Sequence, residues 1–359
     1  MKLLIQPDDG IESLIKAIGK AKKSVEVVIF RFDHREMETA LANAAKRGVD
    51  VQALIASTNR GGERGLRKLE MRLLAAGVGV ARTATDLVRY HGKMMIIDRR
   101  ELCILGFNFT YLDIDRSRSF GVVTSNRRLV QEAEKLFEAD AKRKPYTPGL
   151  DTFIVSPVNA RKQLSAFVKG AKKELLIYDP EISDPSIVRL LEERSKAGVR
   201  IKAIGGVTKR ATKIEARKIQ TRLHTRTIIR DGQHAFIGSQ SLRHIELDAR
   251  REVGVIFRDR KVVSALHKTF HEDWESVKHP ISQDVKKSAE SHVKVAKRVA
   301  KAVADDLPPM TSLVKGMVNQ VTGKNGSAAL DVDDVQETIK AAVKDAVKEL
   351  VRDAVEEAS

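Results

Sequence analysis

The sequence is poor in cysteine and contains no long apolar run. Its single cysteine, Cys103, excludes an intramolecular disulfide and any zinc site built on several thiolates. No stretch approaches the roughly 18 apolar residues of a membrane span. The first residues, MKLLIQPDDG, are too short and too soon acidic for a secretory signal. These absences indicate a cytoplasmic protein and leave peripheral association with a membrane open.

Aromatic residues are also scarce, at 4% of the chain, so few side chains could stack on single-stranded nucleic acid. The chain has 359 residues, enough for two domains of ordinary size, and 42% apolar residues support a hydrophobic core. The formal net charge of +17 favours an anionic partner. Phospholipid headgroups, nucleic acid and small phosphate compounds all fit that description.

Two segments share one spacing of histidine, cation and aspartate, H-x-[KR]-x4-D. The residues are His91, Lys93 and Asp98 in the first segment and His224, Arg226 and Asp231 in the second. Asn108 follows the first group, and Gly238 and Ser239 follow the second. Each group leads into an apolar run and then a turn with glycine. Two such groups are hard to produce by chance.

The segments around these groups repeat as well. AKKSVEVVIF at Ala21 matches AKKELLIYDP at Ala171, and RGVDVQALI at Arg47 matches AGVRIKAIG at Ala197, both with an offset of 150 residues. The two histidines are offset by only 133 residues, so the second half lacks about 17 residues, corresponding to the region near 59–78. This pattern indicates an internal duplication.

The recurring residue types suit chemistry on a phosphodiester, which is anionic and resists attack by water. A neutral imidazole can attack phosphorus and form a phosphohistidine, and a second imidazole can protonate the leaving oxygen. Cations hold the non-bridging oxygens as charge develops. Two histidines and two Lys or Arg residues are therefore a minimal set that needs no metal and no cofactor. In a strand, His91 and Lys93 would project from one face, as would His224 and Arg226.

The two groups resemble the phospholipase D superfamily, whose signature is H-x-K-x4-D-x6-G-S-x-N. The resemblance covers roughly residues 1–278. It implies that the two groups meet across a pseudo-twofold axis and form a single site. It also implies that His91 is the nucleophile and His224 the general acid, with Lys93 and Arg226 as the cations of the site.

Each group departs from the family pattern. In the first half, Leu105 and Gly106 replace the Gly-Ser pair, and Ser119 stands where the family carries a glutamate. In the second half, Arg226 replaces the lysine and Ser241 the asparagine. Arginine keeps the charge and can grip phosphate with two N–H groups, although its planar head differs in geometry from an ammonium group.

The remaining motif residues receive two expected roles. Those expected to bind substrate are Asn108, Ser239, Ser241 and Glu252. Asp98 and Asp231 are expected to be structural, holding backbone or a basic partner at a hairpin, because each lies seven residues past its histidine.

The predicted fold class is α/β, with two pseudo-symmetric phospholipase D-like repeats, each a mixed sheet flanked by helices, and a helical C-terminal tail. Strand-helix-strand order in residues 25–57 indicates a parallel sheet. The predicted domains are residues 1–145, 146–282 and 283–359, with a linker at KPYTPG. The tail is expected to contain helices at 285–304 and 332–355.

The sequence therefore predicts a metal-independent phosphodiesterase or phosphatidyltransferase that acts through a phosphohistidine. The resemblance to bacterial members such as cardiolipin synthases favours a phospholipid diester. Two alternatives stay open: a nuclease, and a degenerate member that binds phosphate without turnover. Formation of a homo-oligomer through the C-terminal helices stays open too.

Overall fold

The computed structural model describes residues 1–57, 62–208 and 214–277. Residues 1–278 form one compact unit. The helices predicted at 285–304 and 332–355, and the whole of the third predicted domain at 283–359, lie outside the described residues. The domain boundaries therefore stay predictions. Within the described ranges, every helix is too short or too polar to span a bilayer.

The first repeat alternates strands and helices. Its strands are β1 (Lys2–Gln6), β2 (Ser24–Ile29), β3 (Asp50–Ile55), β4 (Gly79–Arg82), β5 (Arg89–Tyr90), β6 (Met94–Ile97), β7 (Glu101–Leu105) and β8 (Ser117–Thr124). Its helices are α1 (Glu12–Lys20), α2 (Arg35–Lys46), α3 (Gly62–Ala75), α4 (Tyr111–Asp115) and α5 (Arg127–Ala141). The predicted strand-helix-strand unit is β2-α2-β3, and its two strands pair in parallel.

The second repeat follows the same plan. Its strands are β9 (Phe153–Val155), β10 (Glu174–Ile182), β11 (Arg200–Val207), β12 (Glu215–Arg217), β13 (Arg222–Leu223), β14 (Arg226–Arg230), β15 (His234–Gly238), β16 (Arg250–Arg251) and β17 (Val253–Phe257). Its helices are α6 (Ala160–Lys169), α7 (Pro185–Lys196), α8 (His244–Asp248) and α9 (Arg260–Ser276). Only seven residues separate β11 from β12, so the shortened region corresponds to α3 of the first repeat.

The two main sheets have matching strand orders, which confirms the predicted α/β fold with two related repeats. One runs β4-β3-β2-β6-β7-β8-β1 and the other β12-β11-β10-β14-β15-β17-β9. In each, the first three strands are parallel and the others antiparallel, so both sheets are mixed. Strands β6 and β7 form a buried antiparallel hairpin.

The two sheets pack against each other through a shared hydrophobic core. Ile104 and Val122 of the first sheet belong to the same buried cluster as Tyr178 and Val255 of the second. Helices α5 and α9 complete this cluster. The opposite faces of the sheets are covered by α1, α2 and α3 in the first repeat and by α6 and α7 in the second. Burial of apolar surface thus joins the repeats directly.

The predicted linker is packed rather than free. Tyr146 is buried, and its hydroxyl donates to the carboxylate of Glu132 on α5. The backbone N–H of Gly149 donates to the same carboxylate. The two prolines of the segment break helix and strand, as expected, but Tyr146 anchors the chain against the core.

Asp98 and Asp231 close equivalent hairpins. Each accepts hydrogen bonds from three consecutive backbone N–H groups, those of residues 22–24 for Asp98 and 172–174 for Asp231, at 2.6–3.1 Å. Both adopt left-handed backbone angles, with φ of 53° and 54°. Partial burial opposes ionisation, but these N–H groups outweigh it and hold the pKa of both carboxyls below the usual range. The contacts fit the structural role expected for both residues.

Replacing Asp98 or Asp231 with alanine should lower the free energy of unfolding by about 1–3 kcal/mol, because three backbone donors lose their charged acceptor. Asparagine tolerates left-handed angles and keeps one acceptor oxygen, so Asp98→Asn is the matched control and should lose less. Urea denaturation measures the free energy of unfolding of the alanine and asparagine variants.

The depressed pKa adds a pH dependence. The stabilisation is fully present above the unfolded pKa and is lost as pH falls through the folded pKa. An Asp98→Ala variant as stable as the wild type at neutral pH would contradict this account.

Candidate active site

Each histidine lies just after a short strand that pairs with the other repeat. Strand β5, which leads to His91, pairs in parallel with β16, and β13, which leads to His224, pairs in parallel with β8. The backbone N–H of His91 donates to the carbonyl of Arg251 at 2.7 Å, and that of His224 to Arg118 at 3.0 Å. Each imidazole is therefore positioned by the backbone of the opposite repeat.

His91 and Lys93 do not share a strand, which corrects the expectation from spacing alone. They lie in the link between β5 and β6. The Lys93 ammonium nevertheless reaches the ring, 2.8 Å from Nε2 of His91, and also donates to the His91 carbonyl at 2.8 Å. Arg226 does begin a strand, β14, and His224 precedes that strand.

Glu252 of the second repeat holds the ring of His91. The carboxylate oxygens lie 2.9 and 3.0 Å from Nδ1. The Phe30 ring packs edge-on against the imidazole, with centroids 4.5 Å apart. A carboxylate accepts only from a protonated nitrogen, so Nδ1 carries the proton and Nε2 keeps its lone pair. Nζ of Lys93 lies 2.8 Å from Nε2 and 3.0 Å from Nδ1, so it packs against the ring.

Burial sets the charges of this group. Burial is the main cause that lowers the pKa of His91 well below its usual value, and the charges of Lys93 and Arg226 lower it further. Burial also lowers the pKa of Lys93 to about 7 and raises that of Glu252. At neutral pH the imidazole of His91 is therefore neutral, which is the form that can act as a nucleophile.

A different acid, Asp113 of the first repeat, lies beside His224. Its Oδ2 is 3.0 Å from Nε2 of the ring, and its Oδ1 accepts from Arg222 at 2.8 Å. Burial lowers the pKa of His224 to about 4, and Arg226 and Arg222 act in the same direction, against the attraction of Asp113. Burial opposes ionisation of Asp113, but His224, Arg222 and the Asn108 backbone hold its pKa well below the usual range.

Arg226 is buried with much of its guanidinium unsatisfied. The residue is 7% exposed, and neither Nε nor Nη1 has a hydrogen-bond partner among the described residues. The carboxylate of Glu246 lies 4.0 Å from Nε. A buried cation with free donors is costly unless a ligand satisfies it, and an anionic phosphate oxygen is a suitable acceptor.

The four residues expected to bind substrate all make bonds within the protein. Asn108 donates to Asp113 at 2.7 Å and lies 3.4 Å from Nε2 of His224. The Ser239 hydroxyl bonds the Val253 backbone, while the Ser241 hydroxyl donates to Asp179. Glu252 contacts His91, as described above. Their roles toward substrate stay predictions.

Two further acids of the site, Asp113 and Glu246, were not predicted from the sequence. Each lies 22 residues after its histidine. The backbone N–H of Asn108 donates to Asp113 at 2.8 Å, and that of Ser241 donates to Glu246 at 2.6 Å. The equal spacing in the two repeats was the signal that could have revealed both.

One group in the described part of the chain has the spacing of metal ligands, Asp184, His244 and Asp248. Arg161 already bonds both carboxylates, at 2.7 Å to Asp184 and 2.8 Å to Asp248. The guanidinium thus supplies the positive charge between these two acids, and no metal is needed to neutralise them.

Comparison with known proteins identifies related families. A family described as "Cardiolipin synthase, PLD-like domain" matches residues 14–141 and 164–274, more than half of the chain. The mitochondrial cardiolipin hydrolase of Danio rerio is 31% identical over 134 residues, covering 35% of this chain and 56% of that protein. A polyphosphate kinase of Pseudomonas syringae pv. tomato is 24% identical over 300 residues, covering 74% of this chain. The chain spans only 40% of that kinase.

Two solved structures share the fold. The polyphosphate kinase of Porphyromonas gingivalis superposes with a TM-score of 0.64 at 17% identity, over 78% of this chain and 52% of that chain. The phosphatidylserine synthase of Haemophilus influenzae Rd KW20 superposes with a TM-score of 0.56 at 12% identity, over 76% of this chain and 85% of that chain. At these identities the likeness shows a common architecture.

Binding of a simple anion should depend on the proton of Lys93. Because burial lowers the pKa of this ammonium to about 7, its charge is lost as pH rises through that value. Sulfate affinity, measured by calorimetry between about pH 6 and 9, should therefore fall as pH increases. Lys93→Arg keeps its charge throughout this range, so its affinity should be nearly constant. A wild-type affinity that does not change across neutral pH would refute this assignment.

Proposed function

This chain belongs to the phospholipase D superfamily, in the family of cardiolipin synthase-like domains, and on that premise we propose that it is a metal-independent phosphodiesterase or phosphatidyltransferase. The observation that carries the proposal is the group of Glu252, His91 and Lys93. It combines an oriented neutral imidazole, a carboxylate on its Nδ1 and a lysine Nζ within 3.0 Å of both ring nitrogens. These are the requirements of a histidine nucleophile acting on an anionic phosphorus centre.

The proposed reaction has two displacements. In the first, Nε2 of His91 attacks phosphorus, the P–N bond forms, and the P–O bond to the leaving group breaks while His224 gives that oxygen a proton. In the second, water or an alcohol attacks phosphorus, gives its proton to His224, and the P–N bond breaks. Lys93 and Arg226 stabilise the negative charge on the non-bridging oxygens in both steps.

His224 must be protonated to act as the acid, and the bound substrate can bring this about. In the free protein, burial and the charges of Arg226 and Arg222 keep the pKa of His224 at about 4. A phosphodiester anion beside Arg226 offsets that positive charge. The pKa of His224 then rises toward the working pH, because an added anion favours the charged imidazolium.

Two observations favour a phospholipid as the diester. The related hydrolase of Danio rerio is named for cardiolipin. Val88 and Ile245 are 58% and 38% exposed, and both bond the backbone of Ala249, next to the strand pair that positions His91. Exposed apolar side chains near a phosphate site suit an amphiphilic substrate, and the scarcity of aromatic residues argues against a nuclease.

Phosphoryl transfer on polyphosphate is a second candidate, because the matched polyphosphate kinase covers 74% of this chain. A histidine nucleophile and paired cations would serve that reaction equally well. The chain spans less than half of the length of that kinase. Membrane association, and oligomer formation through the C-terminal helices, also stay predictions.

Substrate assays in EDTA distinguish these candidates. We expect turnover of anionic phospholipid vesicles in the presence of the chelator, because no step of the proposed reaction uses a metal. Nucleic acid should bind only weakly at physiological salt, through contacts that release counterions. Metal-dependent activity restored by a divalent ion would exclude the mechanism, and cleavage of DNA or transfer from polyphosphate without lipid turnover would exclude the phospholipid assignment.

The two histidine variants should fail at different steps. With a diester that carries a good leaving group, His224→Ala should still form the phosphohistidine on His91 and then stall, because the second step lacks its base. Mass spectrometry should find the adduct on the peptide that contains Tyr90. His91→Ala should trap nothing. An adduct on His224 in that variant would reverse the two roles, and full activity in either variant would mean that the two histidines do not act in one site.

A further inference from the structure

We infer that Asp113 is the positioning residue for His224, replacing the glutamate that the first repeat lacks. This inference rests on the proposed function, since it assigns a role within the same site. It starts from a comparison of the two repeats, which are related by 133 residues at the histidines. If the repeats are equivalent, each should place an acidic side chain beside the histidine of the other repeat.

Only the second repeat does so from the expected position. Glu252 lies 28 residues after His224 and bonds Nδ1 of His91. Ser119 lies 28 residues after His91 and is fully buried, but its hydroxyl donates to the backbone carbonyl of His224 at 3.1 Å. Its contact is thus with the backbone of His224, and it carries no negative charge for the imidazole.

Asp113 supplies that charge from a different element. It lies in helix α4, is 2% exposed, and places Oδ2 3.0 Å from Nε2 of His224. Two N–H donors of Asn108 fix the same oxygen at 2.7 and 2.8 Å, and Arg222 fixes the other oxygen. A carboxylate held by this many donors stays ionised and keeps one orientation.

The equivalent acid in the second repeat has a different set of partners. Glu246 contacts three guanidinium groups, those of Arg226, Arg243 and Arg250. It therefore balances the cations that surround the phosphate position. The two acids at matching positions have diverged. Asp113 contacts the imidazole of His224 and one arginine, whereas Glu246 contacts three arginines.

Asp113 should act on the proton-transfer step. An ionised carboxylate beside Nε2 orients the ring and favours the imidazolium, in which Nε2–H stays bonded to Asp113 and Nδ1–H gives its proton to the leaving oxygen. His91 needs no such help from Asp113, because Glu252 already holds it. The effect of Asp113 should therefore depend on how much the leaving group needs a proton.

The test compares two diesters that differ in the leaving group, an alkyl alcohol and 4-nitrophenol. Asp113→Asn keeps the shape of the side chain but removes its charge. We expect turnover of the alkyl ester to fall by about 100-fold or more, and release of 4-nitrophenol in the first turnover to change by less than about tenfold. Asp115→Asn, an exposed acid on the same helix, is the matched control and should match the wild type with both esters.

A rescue variant provides a second test of the role of Asp113. Asp113→Asn combined with Ser119→Glu restores a carboxylate at the position equivalent to Glu252 and should recover at least about tenfold of the lost turnover. Ser119 is buried, so a glutamate at this position can prevent folding. If the double variant does not fold, the leaving-group comparison in Asp113→Asn alone tests the inference. Equal losses with the two esters, or no loss, would overturn the inference.

Histidine 15N NMR separates this inference from the proposed function, since it needs no substrate. In the wild type, His224 should be protonated at Nε2, which faces Asp113, because Arg222 can only donate to Nδ1. Asp113→Asn should weaken that preference. An unchanged tautomer would overturn the positioning role even if the protein hydrolyses phosphodiesters. The predicted change in a protein without such activity would contradict only the proposed function.

Discussion

The hydrogen bond between His91 and Glu252 joins the two repeats at the centre of the candidate site. A buried imidazole and a buried carboxylate are both unfavourable unless each finds a partner, and here each is the partner of the other, at 2.9 Å. Neither repeat can satisfy this requirement alone. The short strand pairs and the shared core between the sheets hold the two repeats at the separation that this bond needs.

The site is symmetric in backbone and asymmetric in chemistry. The strand orders of the two sheets match, yet one repeat places Lys93 beside its histidine and the other places Arg226. The acids differ as well, because Glu252 holds His91 while Asp113 holds His224. Such differences suit a two-step reaction, in which one imidazole must be neutral to attack and the other must gain and lose a proton.

Much of the fold could be predicted because it follows from local periodicity and from the duplication. Sequence patterns predict the strands and helices of the first repeat, the loss of α3 from the second and the mixed sheets. They give weaker evidence for the partners of the histidines. Glu252 bonds the histidine of the other repeat, and its position in the sequence did not show which histidine it contacts.

Asp113 was harder to find, because it departs from the family pattern and reaches His224 only through the packing of α4 across the interface between repeats. The position of His91 and Lys93 between strands, rather than on one, is likewise decided by the cross-repeat pairing of β5. Contacts over a long sequence separation are set by tertiary structure, which spacing within one segment does not record.

We propose that both repeats build one site around His91 as the nucleophile. A crystal structure with orthovanadate, which mimics the five-coordinate phosphorus, is the sharpest test of this proposal. We expect vanadium bonded to Nε2 of His91, with its oxygens in contact with Lys93 and Arg226, while Nδ1 stays bonded to Glu252. Vanadium bonded to His224, or bound by residues of a single repeat, would contradict it.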